Sequence, residues 1–508
     1  MAGGRAAWRS MAVAAAMAIS GAAAQEVETK QYEGGGVYEG TFVDGLQDGT
    51  GTYTLPSGYR YSGEWVRGEI RGRGRAEFPG GSIYEGEFAA GHPHGTGTIT
   101  YPDGSTYAGA WVEGRIEGEG VATYANGTTY TGGFRNGAHD GQGVMETENG
   151  FRYEGGWSAG EMAGEGTITY PDGSTYQGGM EAGLRSGQGV LRTPDGLVYE
   201  GGWSDGQISG TGRLQQPNGD VYEGTLVDGR REGRGVVTYA DGSRYEGEFR
   251  GDLREGQGTF EGTDGYRYEG AWLGGQIAGE GRVRYADGSV YEGSLADGLA
   301  DGTGRITYED GSSYEGVWTA GVIDGEGRAV YPDGLVYEGA FLNARNHGQG
   351  TMTSPNGYRY EGEWAEGLRH GEGRATYPDG TVYEGGFVRD QREGQGVITM
   401  PDGFRYEGEW NDGEPEGQGV AVYSNGDRYE GSFIAGRREG PGTMRYAGGE
   451  VEAGEWRAGA LVETAAPEGA DAVDSADGPA MEPALPAGPE TPPETAGDAA
   501  GDAPAPDQ

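Results

Sequence analysis

The sequence predicts an all-β chain: an elongated, single-layer array of antiparallel β-hairpins, one hairpin per 23 residues. Three observations predict it. Eighteen tyrosines, from Tyr38, Tyr61 and Tyr84 onward to Tyr429, recur at a spacing of 23 residues with no insertion or deletion. Counting that tyrosine as position 0, glycine stands at +2, +11, +13 and +20 in all eighteen units. Around the tyrosine, apolar and polar residues alternate with the period of a strand. Equal units that bury surface only against their neighbours behave as one quasi-linear body, so this periodicity outweighs the domain count that length alone suggests.

Each element follows from the unit. Tyrosine at 0, glycine at +2 and an aromatic or large apolar residue at +4 make the first strand. Glycine at +7 is replaced only at Asp252, Ala344 and Asp390, without a change of length. The second strand covers about +12 to +17, as in Gly166-Thr167-Ile168-Thr169-Tyr170. Pro-Asp-Gly or Ala-Asn-Gly then makes a tight turn. Proline sets φ, Asp or Asn bonds back to the backbone, and Gly accepts φ > 0. The glycines at +2 and +13 sit inside strands, where they cost conformational entropy. Their regular placement predicts a steric need: room for tyrosine and tryptophan rings to lie flat along the sheet. Two strands per unit predict roughly 9–10 Å of ribbon per repeat.

A longer rhythm overlies the first. The nine tryptophans beyond Trp8 all stand at +4, mostly 46 residues apart with one slip of 69. A shift of 207 residues maps Phe134-Arg135-Asn136 onto Phe341-Leu342-Asn343. A duplicated nine-unit block, with its boundary near Gly242–Tyr245, accounts for this echo; recombination among near-identical units also would.

Composition bounds the function class. Glycine reaches 110 of 508 residues, yet no G-x-Y period points to collagen. The formal net charge is -44, and all but one of the 37 basic residues are arginine. So acidic a surface repels nucleic acid, and it repels anionic lipid except at local basic patches. Cysteine is absent, which excludes disulfides and thiolate chemistry. Residues 1–24 are laid out as a secretory signal: Arg5 and Arg9, an apolar run from Met11 to Ile19, then Ala22-Ala23-Ala24. The run is too short to span a bilayer. A bacterial periplasmic or secreted protein is expected, with no transmembrane segment in the mature chain. Residues 463–508 hold eleven acidic and no basic residues among Ala, Pro and Gly, the composition of a disordered, solvated tail.

The segments Tyr199-Glu200-Gly201-Gly202-Trp203, Tyr360-Glu361-Gly362-Glu363-Trp364 and Gly371-Glu372-Gly373 resemble the MORN repeat (membrane occupation and recognition nexus), over residues 32–459. The resemblance implies a curved antiparallel ribbon, frequent homodimers, and attachment to membranes, phospholipids or other proteins. Some related chains carry a catalytic domain beside the repeats. Here array, signal and tail leave no residues for one, so a non-enzymatic scaffold or protein-interaction protein of the cell envelope is expected. The alternative is a surface that binds phospholipid or polysaccharide through its aromatics.

The candidate interaction stripe is the aromatic row: Tyr61, Trp65, Tyr107, Trp111, Tyr153, Trp157, Tyr199, Trp203, Tyr268, Trp272, Tyr314, Trp318, Tyr360, Trp364, Tyr406 and Trp410. With no second layer, the core is expected to be this stripe stacked unit on unit, and as an exposed stripe it would dock a protein partner or a second copy. Glutamate follows the clock tyrosine in fourteen units, except at Ser62, Ala108, Thr131 and Gln177. On a sheet these carboxylates stand about 10 Å apart, too far for a paired acid/base couple, so a solvated acidic face is expected. Arginines precede the tyrosine at positions 60, 152, 244, 267, 359, 405 and 428, as a weak basic stripe. No calcium loop, phosphate loop or zinc spacing occurs, and the five histidines read as exposed turn residues. No catalytic, cofactor or metal residues are assigned.

Overall fold

The computed structural model describes residues 26–462. The expected signal and tail lie outside the described residues. Within them every regular element is a strand, and within each of its two units consecutive strands pair antiparallel as the tyrosine clock predicts. The described chain forms two compact units that divide between Pro217 and Asn218.

The first unit opens with a short strand, β1 (Glu28–Gln31), paired to β2 (Val37–Val43). Hairpins follow one another: β3 (Leu46–Thr54), β4 (Arg60–Val66), β5 (Glu69–Glu77), β6 (Ile83–Ala89), and onward to β17 (Gln207–Gln215). The second unit runs from β18 (Val221–Val227) to β38 (Val451–Arg457) and ends on the three-residue β39 (Ala460–Val462). Each unit is one antiparallel layer built from strands alternately seven and nine residues long. The sequence echo near Gly242–Tyr245 lies inside the second unit.

The hairpin of Tyr61 shows how the repeat makes these elements. β4 and β5 are joined by only Arg67 and Gly68, both with positive φ (48° and 89°). That is a type I′ turn, whose twist matches the strands it joins. Position +7 takes glycine because its φ is left-handed; position +6 is left-handed too and tolerates Asp, Asn, Ala, Glu or Arg at some cost. Along β5, Gly72 (φ 96°) forms a bulge: Gly63 pairs with Gly74 and Trp65 with Ile70, so Glu64 alone faces Arg71, Gly72 and Arg73. This is the work of the +11 glycine. The turn between hairpins is wider. At Tyr101–Ser105, Tyr101 N–H donates to Ser105 O (2.8 Å), Gly104 N–H donates to Tyr101 O (3.0 Å), and Ser105 N–H donates to Asp103 Oδ1 (2.9 Å). Gly104 has φ 89°. Proline, the Asx bond and left-handed glycine occupy the places their chemistry predicts.

Cross-strand register puts positions 0, +2, +4, +9, +11, +13 and +15 on one face. Tyr61 sits opposite Ala76 on β5 and Tyr53 on β3, while Gly63 sits opposite Gly74 and Gly51. That face is the core, although among the described residues no second layer covers it: the clock tyrosines are at most 2% exposed. The other face carries positions -1, +1, +3, +12 and +14 and is mostly polar.

Candidate interaction surfaces

The core is made by each tyrosine lying down along its own strand. Within 3 Å, an added Cβ would meet the Tyr61 ring at Gly74, and the Tyr61 hydroxyl with the facing backbone at Gly63; Gly166 and Gly155 stand in the same way to Tyr153. The ring therefore uses the space that two missing side chains leave. Its hydroxyl donates to the backbone carbonyl at +3: Tyr61 to Glu64 O (2.9 Å), Tyr153 to Gly156 O (2.8 Å), Tyr360 to Glu363 O (3.0 Å). Burial pushes the Tyr84, Tyr107, Tyr130 and Tyr153 hydroxyls up to about 12.

Between hairpins the rings stack edge to face. Tyr61 packs against its own Trp65 (5.6 Å) and the next hairpin's Phe88 (4.9 Å); Tyr84 packs against Phe88 (5.1 Å) and Trp111 (5.0 Å). Such pairs add about 0.5–1.5 kcal/mol each beyond area burial. Each +4 tryptophan donates from Nε1 to the +13 glycine carbonyl of the preceding hairpin, as Trp111 does to Gly97 O (3.1 Å) and Trp410 to Gly396 O (3.1 Å). Tryptophan at +4 thus pins neighbouring hairpins together and satisfies its own donor.

This corrects the expectation of an exposed aromatic stripe. Tyr61, Tyr107, Tyr153, Tyr199, Tyr268, Tyr314, Tyr360 and Tyr406 are at most 2% exposed. Trp65, Trp111, Trp157, Trp203, Trp272, Trp318, Trp364 and Trp410 are at most 7% exposed. Within each unit the structure packs these residues into the core, not onto a surface on which a glycan or a lipid could stack. Period-2 reasoning found the face. The unit-on-unit stack expected of it is present; the exposed docking role fails because the rings of adjacent hairpins cover one another.

The opposite face is an ion-pair ladder, less bare than an acidic surface. The arginines before the tyrosine turn to glutamates on the same face: Arg152 to Glu154 (2.6 Å) and Glu146 (2.9 Å), Arg359 to Glu361 (2.5 Å), Arg405 to Glu407 (2.7 Å), Arg428 to Glu430 (2.7 Å). Arg60, Arg244 and Arg267 are paired as well. The expected basic stripe is therefore neutralised. A second set runs from +14 to the next hairpin's +1, as in Arg75–Glu85 (2.9 Å), Arg328–Glu338 (2.8 Å) and Arg374–Glu384 (2.7 Å). These exposed pairs contribute about 0–1 kcal/mol each and act mainly on register and charge.

Carboxylates at +10 have a structural task that the sequence did not reveal. Glu117 accepts from Asn136 N–H (3.2 Å), Asp301 from Ala320 N–H (3.0 Å), Glu416 from Ala435 N–H (3.0 Å) and Glu439 from Ala458 N–H (2.7 Å). Each clips the left-handed +6 residue of the next type I′ turn. Between the side-chain rows, the flat glycine backbone floors open troughs. One, of about 460 Å³, passes Gly74, Gly86, Gly97 and Gly109. Another, of about 670 Å³, is walled by Glu361, Glu363, Glu372, Glu384 and Glu407 with Arg374.

Position +9 is where the core turns polar. Arg185 stacks on Trp203, its Cζ 4.1 Å from the ring centre, and donates from Nη2 to Gly206 O (2.7 Å). Arg438 treats Trp456 (4.7 Å) and Gly459 O (2.6 Å) the same way. Arg392 lies over Trp410 (4.5 Å), but its Nη1 is buried without a partner, and burial lowers its pKa from the usual arginine value. His139 is the +9 residue of its hairpin. It stacks on Tyr130 (3.7 Å, 17°), its Nε2 shares a hydrogen bond with Tyr124 Oη (2.7 Å), and burial lowers its pKa to about 4. The expectation of an exposed turn histidine is wrong for this residue. His92 and His94 lie exposed on the strand His92–Thr100, beyond the turn rather than in it. Among the described residues no group of three or more His, Asp or Glu is placed to hold a metal ion. No helix there is long and apolar enough to cross a membrane.

The MORN repeat family matches eighteen consecutive segments, from residues 38–58 and 61–83 through to 406–428 and 429–451. No curated protein sequence matches the chain. Several solved structures align with parts of it at low similarity. The SAS-4 (dCPAP) TCP domain of Drosophila melanogaster, in complex with a proline-rich motif of Ana2, is 13% identical. That alignment covers 39% of this chain and 88% of that one at a TM-score of 0.19. The TCP10 domain of Danio rerio CPAP, in complex with a STIL peptide, is 13% identical over 66% and 97% at 0.15. A streptogramin B lyase is 10% identical over 66% and 89% at 0.11. Scores this low carry no argument about function. The eighteen matched segments coincide with the hairpins described above, and the chain belongs to the MORN-repeat family.

Proposed function

We propose that the protein is a non-enzymatic scaffold of the bacterial cell envelope, whose ribbon holds a protein partner along many hairpins at once. MORN repeats serve as protein- and lipid-interaction repeats, and the family is generally non-enzymatic. One observation carries the reading. The clock tyrosines and the +4 aromatics are consumed in the core, and the other face is a periodic, mostly polar one in which carboxylate, guanidinium and glycine floor recur at the same register in hairpin after hairpin. A surface of that kind suits an extended partner bound by many weak, repeated contacts, because linked contacts add through effective concentration. The layout of residues 1–24 supports export.

The test has two arms. Cell fractionation with an antibody to the array places the chain in the envelope under this reading; recovery in the cytosol removes that part of it. Crosslinking in intact cells, followed by mass spectrometry, is expected to map a protein onto the polar face. Recovery of the array on anionic vesicles at physiological salt, with no protein crosslink, would replace the protein reading by the lipid one.

A further inference from the structure

The +9 arginines of the second unit are satisfied in different ways, and the difference singles out one of them. Arg369 and Asp390 set the pattern. Asp390 N–H donates to Arg369 O (3.0 Å), which fixes the type I′ turn beside the arginine, and the Asp390 carboxylate accepts from Arg369 Nε (2.9 Å). Arg231 and Asp252 repeat it, with the same backbone bond (3.1 Å) and the same carboxylate contact (3.4 Å). Arg438 meets the carbonyl of Gly459 instead. Arg392 has the backbone frame of the first pair: Gly413 N–H donates to Arg392 O (3.0 Å), and φ is 85° at Gly413 against 70° at Asp390. Gly413 therefore stands in the register of Asp390 but brings no carboxylate. Arg392 is only 8% exposed, its Nη1 has no partner, and among the described residues no carboxylate pairs with it.

The space beside Gly413 is open. Apart from its chain neighbours, a Cβ built there would meet within 4 Å only Oε1 of the exposed Gln391 (2.9 Å), the movable end of a side chain. Turning that amide over presents Nε2 in place of Oε1, a second donor. The Arg392 guanidinium lies on the Trp410 ring (4.5 Å), which fixes its plane, and the charge of Arg369 adds to the positive field around it. A buried guanidinium without a counter-charge is costly, and its planar fork matches a carboxylate in two parallel hydrogen bonds, as a spherical halide cannot. We propose that Arg392 and the Gly413 turn form a binding site for a small free carboxylate anion, which takes the position that the Asp390 carboxylate holds one hairpin earlier. The exposed Asp412 and Glu393, whose Oε2 accepts from Asp412 N–H (3.2 Å), oppose an anion there. Their charges weaken the site, and a Kd on the order of 1–100 mM is expected. This goes beyond the scaffold reading and stands or falls without a protein partner.

The full chain is melted in sodium acetate and in sodium chloride at equal ionic strength, because any salt screens a net charge of -44. In the wild type Tm is expected to rise further in acetate than in chloride, by an increment that grows with the logarithm of concentration above Kd. Arg392→Met removes the guanidinium and keeps the bulk of the stem. Gly413→Asp supplies an internal carboxylate and leaves the guanidinium in place. In both variants the increment is expected to fall to one small value, the general effect of acetate on a protein surface. Circular dichroism checks that each variant keeps its strands, and Gly413→Asp decides the matter if Arg392→Met does not fold. Saturation-transfer NMR reads binding directly. Transfer from the wild type to the acetate methyl protons is expected, and Gly413→Asp is expected to reduce it. Asp412→Asn, which removes an opposing charge, is expected to lower the Kd. An acetate increment of equal size in all three proteins, or saturation transfer undiminished in Gly413→Asp, would overturn the site.

Discussion

Arg369 closes on Asp390 of the following hairpin, with both side chains less than 10% exposed. Its Nε (2.9 Å) and its own backbone N–H (2.9 Å) donate to Asp390 Oδ1, its Nη2 donates to Asp390 O (2.9 Å), and its Nη1 donates to Tyr358 Oη (2.5 Å). Asp390 holds the +7 place of a type I′ turn at φ 70°, where most hairpins have glycine. Asp252 does the same for Arg231. At these two turns the left-handed +7 aspartate gives the preceding hairpin's +9 arginine a counter-charge, where Arg185 and Arg438 meet only a glycine carbonyl.

Removing Asp390 therefore strands a buried cation. Asp390→Ala is expected to cost about 3–5 kcal/mol, the penalty for breaking a buried pair from one side. The reverse graft follows from Arg392, whose Nη1 has no partner and whose next +7 residue is Gly413. A side chain at Gly413 meets only the movable Gln391 Oε1. Gly413→Asp is expected to be neutral or stabilising despite its positive φ, and Gly413→Ala, with the same strain and no charge, destabilising by about 1 kcal/mol. Denaturant midpoints for the three variants check both statements. Equal loss in Gly413→Asp and Gly413→Ala would show that the Arg–Asp pair is not transferable.

The glycines differ in what they do, and substitution separates them. Gly86→Ala places a methyl group against the Tyr84 hydroxyl and the facing backbone at Gly97 and Thr96. A loss above about 3 kcal/mol is expected, as for overpacking that the backbone cannot relieve. Gly80→Ala meets nothing within 4 Å and has no left-handed φ, so it is expected to be neutral or to gain up to about 1 kcal/mol through the unfolded chain. Thermal melts of this pair suffice; similar losses in both would contradict the ring-over-glycine account.

His139 makes stability depend on acid. Burial sets its folded pKa at about 4, below the ordinary value of 6.5. The unfolded chain therefore binds the proton first. Stability is whole above about pH 6.5 and falls as pH drops toward 4, by on the order of 3 kcal/mol over the window. His139→Phe keeps a ring on Tyr130 and cannot titrate. Its denaturant midpoint is expected to change less between pH 7 and pH 4.5 than that of the parent; parallel changes would show that carboxylates alone set the acid response.

The tyrosine row makes the matching statement for alkali. Tyr84, Tyr107, Tyr130 and Tyr153 ionise at about 12 in the fold, against 10 when solvated. Their contribution is intact below pH 10 and is lost as pH rises through 12, so ionisation and unfolding are expected to coincide. Phenolate absorbance and circular dichroism followed together check this. Normal titration near pH 10 with the strands intact would mean the rings are not buried. Tyr153→Phe, which removes the bond to Gly156 O, is expected to cost about 1 kcal/mol at neutral pH.

Much of this was legible in one dimension. Period 23 set the hairpins, period 2 chose the face of Tyr61 and Trp65, and the glycines at +2 and +13 announced a ring above them. The Pro-Asp-Gly turns carried their own geometry. These properties are local: a left-handed φ, an Asx bond or an alternating pattern depends on residues a few positions apart, and the chain states them directly. Many contacts between successive hairpins were not legible, because they join residues 14 to 21 positions apart through distances no pattern encodes. The Glu117 clip on Asn136, the Arg369–Asp390 pair and the tryptophan Nε1 bonds belong to that class. So does the largest correction, the burial of the aromatic row. Sequence alone determined which side chains share a face. Only the packing of one hairpin on the next decided that this face is an interior, because each ring is covered by rings that a different repeat supplies.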